Sequence, residues 1–281
     1  MRTTIQHVKD FKARGEKFAM LTAYDYPTAQ IVDRAGIPVI LVGDSLGTVI
    51  LGFESTIPVT MDVMIHHTKA VVRGSQNAIV VGDMPFMTYQ INIEDTLRNA
   101  ARFIQEAGAQ AVKLEGGVTV ADKVKKLVDC GIPVMGHIGL TPQSINQLSG
   151  HKIQGRSLEA ARRLLDDAKA LEAAGAFAVV LETMPAELSA YITSRIGIPT
   201  IGIGAGSGCD GQVQVISDLL GLFTDFVPKH TKQYAKLAGL MAEGIAAYAN
   251  DVKTGAFPTD QQSFTLDNSI MDALKQENET A

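Results

Sequence analysis

Residues 39–47 read Val39-Ile40-Leu41-Val42-Gly43-Asp44-Ser45-Leu46-Gly47, a β-branched apolar run entered through Pro38 and left through Gly-Asp-Ser. Such a run reads as a strand buried on both faces. Its end delivers a carboxylate and a hydroxyl at the C-terminal tip. The pattern recurs. Ala78-Ile79-Val80-Val81-Gly82-Asp83 also ends in Gly-Asp, and Ala111-Val112-Lys113-Leu114-Glu115-Gly116-Gly117 ends its apolar run in Glu. Phe177-Ala178-Val179-Val180-Leu181-Glu182 ends in Glu again. In a parallel α/β protein all strand C-termini open onto one face, and chemistry sits there. Acids at four such tips repel one another unless a cation, a proton or a base collects among them. The pattern points to a metal-assisted enzyme site.

The segments between these runs fix the fold class. Ala35-Gly36-Ile37-Pro38-Val39, Cys130-Gly131-Ile132-Pro133-Val134 and Ile196-Gly197-Ile198-Pro199-Thr200 share one design. Glycine ends a helix, proline blocks its continuation, and an apolar run opens the next strand. Amphipathic helices are expected near residues 28–35, 60–73, 93–105, 120–130 and 157–174, with a longer one over 228–250. About eight strands alternate with them, the last two near 200–206 and 212–216. A (β/α)8 TIM barrel with a short N-terminal helix, capped by Thr3 or Thr4, is therefore expected as a single domain over 1–281. The tail from Thr254 shows little pattern.

Composition narrows the function classes. A hydrophobic fraction of 46% with 20% charged residues suits a globular chain of 281 residues. A net charge of −5 gives no electrostatic footprint for nucleic acid. No apolar run has the length of a membrane span, Met1-Arg2-Thr3-Thr4-Ile5 starts no signal peptide, and two cysteines build no disulfide framework. A cytoplasmic protein is expected.

Asp44 and Asp83 are oxygen ligands at matching strand ends and suit a hard cation such as Mg²⁺. Each could instead cap the helix after its strand; the shared Gly-Asp context and Glu115 at a third tip favour the metal. Lys113 and Glu115, two apart on one strand, face one side. There Lys113 could hold an anionic substrate group or simply pair with an acid. Glu182, framed by apolar residues, is a candidate general base with a raised pKa, or an outer partner of the metal ligands. His137, in Gly136-His137-Ile138-Gly139, could contact substrate or a neighbouring acid. His66 and His67 read as one partly exposed helix face. Gly202-Ile203-Gly204-Ala205-Gly206-Ser207-Gly208 lacks the Lys-Ser/Thr of a phosphate loop, so it reads as a close-approach turn or a lid. Cys209 has no histidine partner for nucleophilic work.

Taken in order, these stretches resemble the ketopantoate hydroxymethyltransferase family. The likeness runs from Met20-Leu21-Thr22-Ala23-Tyr24-Asp25 through Val42-Gly43-Asp44-Ser45-Leu46-Gly47, Gly82-Asp83-Met84-Pro85-Phe86 and Val112-Lys113-Leu114-Glu115-Gly116-Gly117. It continues through Gly136-His137-Ile138-Gly139-Leu140-Thr141-Pro142-Gln143 to Gly202-Ile203-Gly204-Ala205-Gly206. The resemblance implies Mg²⁺, 5,10-methylenetetrahydrofolate as one-carbon donor, 3-methyl-2-oxobutanoate as acceptor and a cytoplasmic homodecamer. It puts Asp44, Asp83 and Glu115 at the metal, Asp44, Ser45, Asp83 and Lys113 on the oxo acid, and makes Glu182 the proton acceptor. The resemblance assigns His137 no role; from its own position it could stand just behind the metal ligands or be a structural histidine. Ser217-Asp218 stands where the family resemblance leads one to expect His-Asp, and Gln261-Gln262-Ser263-Phe264 where it leads to Glu-His-Ser-Phe. Two rivals remain. One is a barrel of the phosphoenolpyruvate mutase and isocitrate lyase type, against which Met135 counts, since the lyases carry cysteine there. The other is a silent barrel serving as an assembly module, which predicts that one of the four acids is missing; none is.

Overall fold

A computed structural model describes residues 2–279. Eight parallel strands close a barrel in sequence order: β1 Phe18–Thr22, β2 Val39–Val42, β3 Ile79–Asp83, β4 Ala111–Glu115, β5 Val134–Gly139, β6 Ala178–Glu182, β7 Thr200–Ile203 and β8 Gly211–Gln214. Closure pairs β1 with β8, Met20 opposite Val213. The fold is a (β/α)8 barrel preceded by the helix Ile5–Ala13, which Thr4 caps.

Alternation along the strands sorts two apolar layers. Val39, Leu41, Ile79, Val81, Ala111, Met135, Ala178, Val180 and Ile201 fill the barrel interior. Val80, Val112, Leu114, Val134, Val179 and Leu181 pack outward beneath the helices. Carried to the strand ends, the inward parity brings Asp83, Lys113, Glu115, His137 and Glu182 to the top of the interior. The bottom is plugged. Val8 of the N-terminal helix, with Ile5 and Phe11, joins the interior cluster, and the Phe11 ring stacks 5.1 Å from Phe18.

Helix ends follow local chemistry. Asp25 accepts from the Thr28 N–H at 2.8 Å and starts a helix at Tyr26 rather than near Thr28, because a capping carboxylate precedes Pro27 in the first turn. Asp33 near the end of that helix is buried and accepts from the backbone N–H groups of Gln76, Asn77 and Ala78. Burial works against its charge, but those donors outweigh burial and hold its carboxyl below the ordinary value. It fixes the entry to β3. Asp33→Ala is expected to leave those donors unpaired, cost about 2–4 kcal/mol and lower Tm by roughly 4–16 °C. Its lowered pKa means that the wild-type advantage is full above the ordinary aspartate range and fades on acidification. An unchanged melting curve at neutral pH would refute this anchoring role.

Two expectations about the C-terminal quarter are corrected. Residues 228–236 are not helical: Thr231 N–H turns back to Pro228 O, and the helix runs over Leu237–Thr254, where the apolar spacing begins. The tail is not patternless, since Asn268–Glu279 forms a helix with Ile270, Met271 and Leu274 spaced for one face. By compactness the chain falls into two units, the first ending at Tyr234 and the second starting at Ala235. All eight strands belong to the first.

Candidate active site

The tips of β2 to β8 contribute side chains to one cavity of about 600 Å³. Asp44, two residues beyond β2, does not cap the short helix Leu46–Val49, whose N-cap position is Ser45 without a side-chain bond. Its Oδ2 instead accepts from Gln143 Nε2 at 2.9 Å, and its N–H donates to Asp83 Oδ2 at 3.2 Å. Asp83 closes β3 opposite Lys113 in register, and Lys113 Nζ stands 2.9 Å from Asp83 Oδ1. Two residues on, Glu115 Oε2 accepts from the Gln143 N–H at 3.1 Å. His137 on β5 joins the rest: Nδ1 lies 3.2 Å from Lys113 Nζ and 3.4 Å from Glu115 Oε1, and Nε2 lies 3.1 Å from Glu182 Oε2. Ser45 Oγ is 2.8 Å from the Tyr24 hydroxyl. All seven residues singled out from the sequence line this cavity.

Electrostatics here are those of an acidic excess in a dry place. Burial, then Asp83 and Glu115, push the Asp44 carboxyl well up. Burial also raises Asp83, against the pull of Lys113. Lys113, despite burial, is held protonated by Asp83, Glu115 and Asp44. For His137, burial and Lys113 oppose the charge, but Glu115 and Glu182 outweigh them and push it up to about 9. Glu182 is thus not walled by apolar groups alone, as the sequence suggested. The imidazole of His137 faces it, because β5 and β6 approach closely at their tips. Gly139, at φ +98, makes that approach possible: a Cβ there would stand 2.2 Å from the Glu182 carbonyl oxygen.

Asp83 Oδ1, facing Lys113 Nζ at 2.9 Å, and Glu115 Oε1, facing His137 Nδ1 at 3.4 Å, are buried and receive no further donor. Open carboxylate lone pairs beside an excess of negative charge fit a hard divalent cation. Among the described residues no three His, Cys, Asp or Glu side chains already form a metal cage.

Sequence reasoning missed several contributors. Gln143 ties Asp44 to Glu115, and Tyr89 donates to Gln143 Oε1 at 2.7 Å while accepting the Glu115 N–H at 3.1 Å. Tyr24 supports Ser45, and His67 Nδ1 in turn lies 2.6 Å from Tyr24 O. The only sequence signal was the Thr141-Pro142-Gln143 punctuation after β5. Ser217, in the short helix Ile216–Leu219, is buried with its hydroxyl unpaired. Gln262 is exposed in the second unit, its amide oxygen accepting from the Thr259 N–H at 3.1 Å. The glycine run 202–208 is a close-approach turn: Cβ atoms at Gly206 and Gly208 would press on Ala186 and Ala190. Cys209 is buried beside Phe18 and Gly211, in a pocket where β1 and β8 begin.

Fold and site together define a parallel barrel of the enzyme type, with a carboxylate cluster gathered at its strand ends. Residues 2–260 match the ketopantoate hydroxymethyltransferase family. The chain is 68% identical over 275 residues to the 3-methyl-2-oxobutanoate hydroxymethyltransferase of Dehalococcoides mccartyi, covering 98% of each chain. Solved structures repeat the barrel at low identity. Phosphonopyruvate hydrolase in complex with oxalate and Mg²⁺ aligns at TM-score 0.58 and 14% identity, covering 100% of this chain and 97% of that one. A 2,3-dimethylmalate lyase of the phosphoenolpyruvate mutase and isocitrate lyase superfamily aligns at TM-score 0.57 and 14% identity, covering 100% of both. At that identity the likeness is one of fold. The chain belongs to the ketopantoate hydroxymethyltransferase family, enzymes that transfer a one-carbon group.

Proposed function

We propose that the protein transfers a hydroxymethyl group from 5,10-methylenetetrahydrofolate to 3-methyl-2-oxobutanoate, giving 2-dehydropantoate at the first step of the pantothenate branch. The observation that carries this reading is the juxtaposition of Glu182 with the buried cluster of Asp44, Asp83, Lys113 and Glu115 in one cavity. Lys113 and Ser45 hold the carboxylate of the oxo acid, beside Asp44 and Asp83. Glu182, oriented by His137, takes the proton from C3. That leaves an enolate, whose C3 forms the new C–C bond to the one-carbon unit. Water supplies the hydroxyl oxygen, and tetrahydrofolate leaves. Asp44, Asp83 and Glu115 would hold Mg²⁺, which would supply Lewis-acid stabilisation of negative charge on the substrate oxygens. Burial keeps the pocket floor dry, so each of these charges acts at low dielectric.

The same reading includes a cytoplasmic homodecamer. Within the second unit, Met241, Ile245, Tyr248 and Val252 form one exposed helical face that supports self-association. No helix among the described residues is long and apolar enough to cross a membrane. A lyase or mutase of the related superfamily has only the fold-level likeness behind it, and a silent barrel is disfavoured by the complete set of acids.

The deciding experiment follows C3–H of 3-methyl-2-oxobutanoate by NMR in D₂O with Mg²⁺, with and without tetrahydrofolate, and then product with 5,10-methylenetetrahydrofolate. Mg²⁺-dependent exchange and 2-dehydropantoate are expected. Neither exchange nor product, in protein shown to bind Mg²⁺, would overturn the proposal.

A further inference from the structure

The cavity is larger than the oxo acid requires. About 600 Å³ is room for a drug-sized ligand, whereas the acid has a five-carbon skeleton and the charged cluster occupies only the buried floor. The outer part is built of other material. Phe53, Phe223, Phe226 and Pro228 line it, with two further acids, the exposed Glu54 and the buried Asp218. Asp218 is only 7% exposed. Its helix, Ile216–Leu219, is fastened to β1 by the Ile216 N–H donating to Thr22 Oγ at 3.0 Å. Among the described residues no cation or hydrogen-bond donor reaches its carboxylate, and burial alone acts on it, pushing it up to about 6.

A cavity-lining acceptor without a donor is costly unless a ligand brings one. The oxo acid brings none: its carboxylate and ketone only accept, and its charge is repelled by Asp218. The other reactant of the proposed reaction carries a flat, uncharged pterin with a ring N–H beside an exocyclic amino group. Two parallel donors match one carboxylate, and a flat ring matches aromatic walls. We propose that this outer lobe is the pterin site, in which the Asp218 carboxylate accepts the ring N–H and the neighbouring amino group while Phe223 and Phe226 pack against the ring. The assignment rests on the folate-dependent reading above. It sets the donor apart from the acid cluster: the oxo acid sits on the floor and the folate arrives over it from the mouth.

The test uses the full chain with Mg²⁺ and compares wild type with Asp218→Asn. The inhibitors are 6-methyltetrahydropterin and its 2-desamino analogue, each competing against 5,10-methylenetetrahydrofolate. Wild type should bind the desamino compound about tenfold or more weakly, as loss of a bond to a charged acceptor requires. Asp218→Asn should hold both compounds alike within about twofold. Its KM for the folate should rise about tenfold, with the KM for the oxo acid moving less than about twofold. The variant loses a carboxylate that is costly to ionise in the fold. Its melting temperature should therefore exceed that of wild type at pH 8, the gap closing below about pH 4, which establishes that it folds. Equal binding of the two inhibitors by wild type, an unchanged folate KM in the variant, or a shift in the oxo acid KM instead would each overturn the assignment. If wild type forms no product at all, the transferase reading falls separately. Calorimetry with 6-methyltetrahydropterin then decides the lobe: binding that Asp218→Asn weakens supports it, and no binding by wild type refutes it.

Discussion

Glu182→Gln is expected to lower kcat by about 10²–10⁴-fold and to abolish deuterium exchange at C3 of the oxo acid, with Mg²⁺ binding intact. The amide is nearly isosteric with the carboxylate, so the contact at the His137 Nε2 position, 3.1 Å in the native site, can be kept while proton acceptance is lost. The two halves of the measurement separate base from scaffold. If Glu182 served only to brace His137, the amide would largely preserve exchange, and Mg²⁺ affinity or the KM of the oxo acid would move instead. Exchange within about tenfold of wild type would therefore remove Glu182 from the chemistry and turn attention to another acceptor in the cavity.

Lys113→Met is expected to abolish turnover and to cost stability as well. Lys113 is the ion-pair partner of Asp83 at 2.9 Å, with both side chains buried. Removing one member of a buried pair leaves the other charge uncompensated, a loss of about 3–5 kcal/mol, or roughly 6–20 °C in Tm for a unit of this size. Asp83, Glu115 and Asp44 all act on Lys113, so the variant would place three acids together with only His137 to offset them. Adding Asp83→Asn should recover most of the Tm, because the uncompensated charge is gone, and none of the turnover, because the carboxylate and the cation have both left the proposed substrate position. That double-mutant cycle is the check. A double variant no more stable than Lys113→Met would show that the lysine stem, not the ion pair, holds the fold there.

The readable and unreadable parts of this site differ in a physical way. Asp44, Asp83, Lys113, Glu115 and Glu182 were visible because they interrupt or end buried apolar runs, and strand periodicity alone sends such residues to the strand tips. The helix Ile93–Gln105 was found to the residue, since its apolar face is regular and Asn92 caps it. Gln143, Tyr89 and Tyr24 were not visible. They come from connecting segments that fold back over the barrel mouth, and no period in the sequence reports where a segment returns. Asp218 lies on a helix of one turn, too short to show a face. The apolar surroundings expected for Glu182 failed for a related reason: its polar neighbour stands on the adjacent strand, and strand-to-strand offset is not written in either strand alone. The helix expected from Pro228 began instead at Leu237, because proline and the basic, polar residues after it turn before any apolar face starts.

The pairing of β1 with β8 has a kinetic consequence. Phe18 lies beside Gly211 and Leu21 beside Gln214, and Ile216 hangs from Thr22 Oγ. These contacts join positions nearly a barrel's length apart in the chain, so they form only after a long loop-closure search, and chains dominated by such contacts fold slowly. The cavity has no partial form along that route. Seven strands can line up in order from the N-terminus, but the wall bearing Asp218 exists only once the last strand has found the first. A nascent chain released before residue 214 would expose the open edges of β1 and β7 to other chains, so aggregation during synthesis, rather than residual activity, is the expected fate of C-terminal truncations within the barrel.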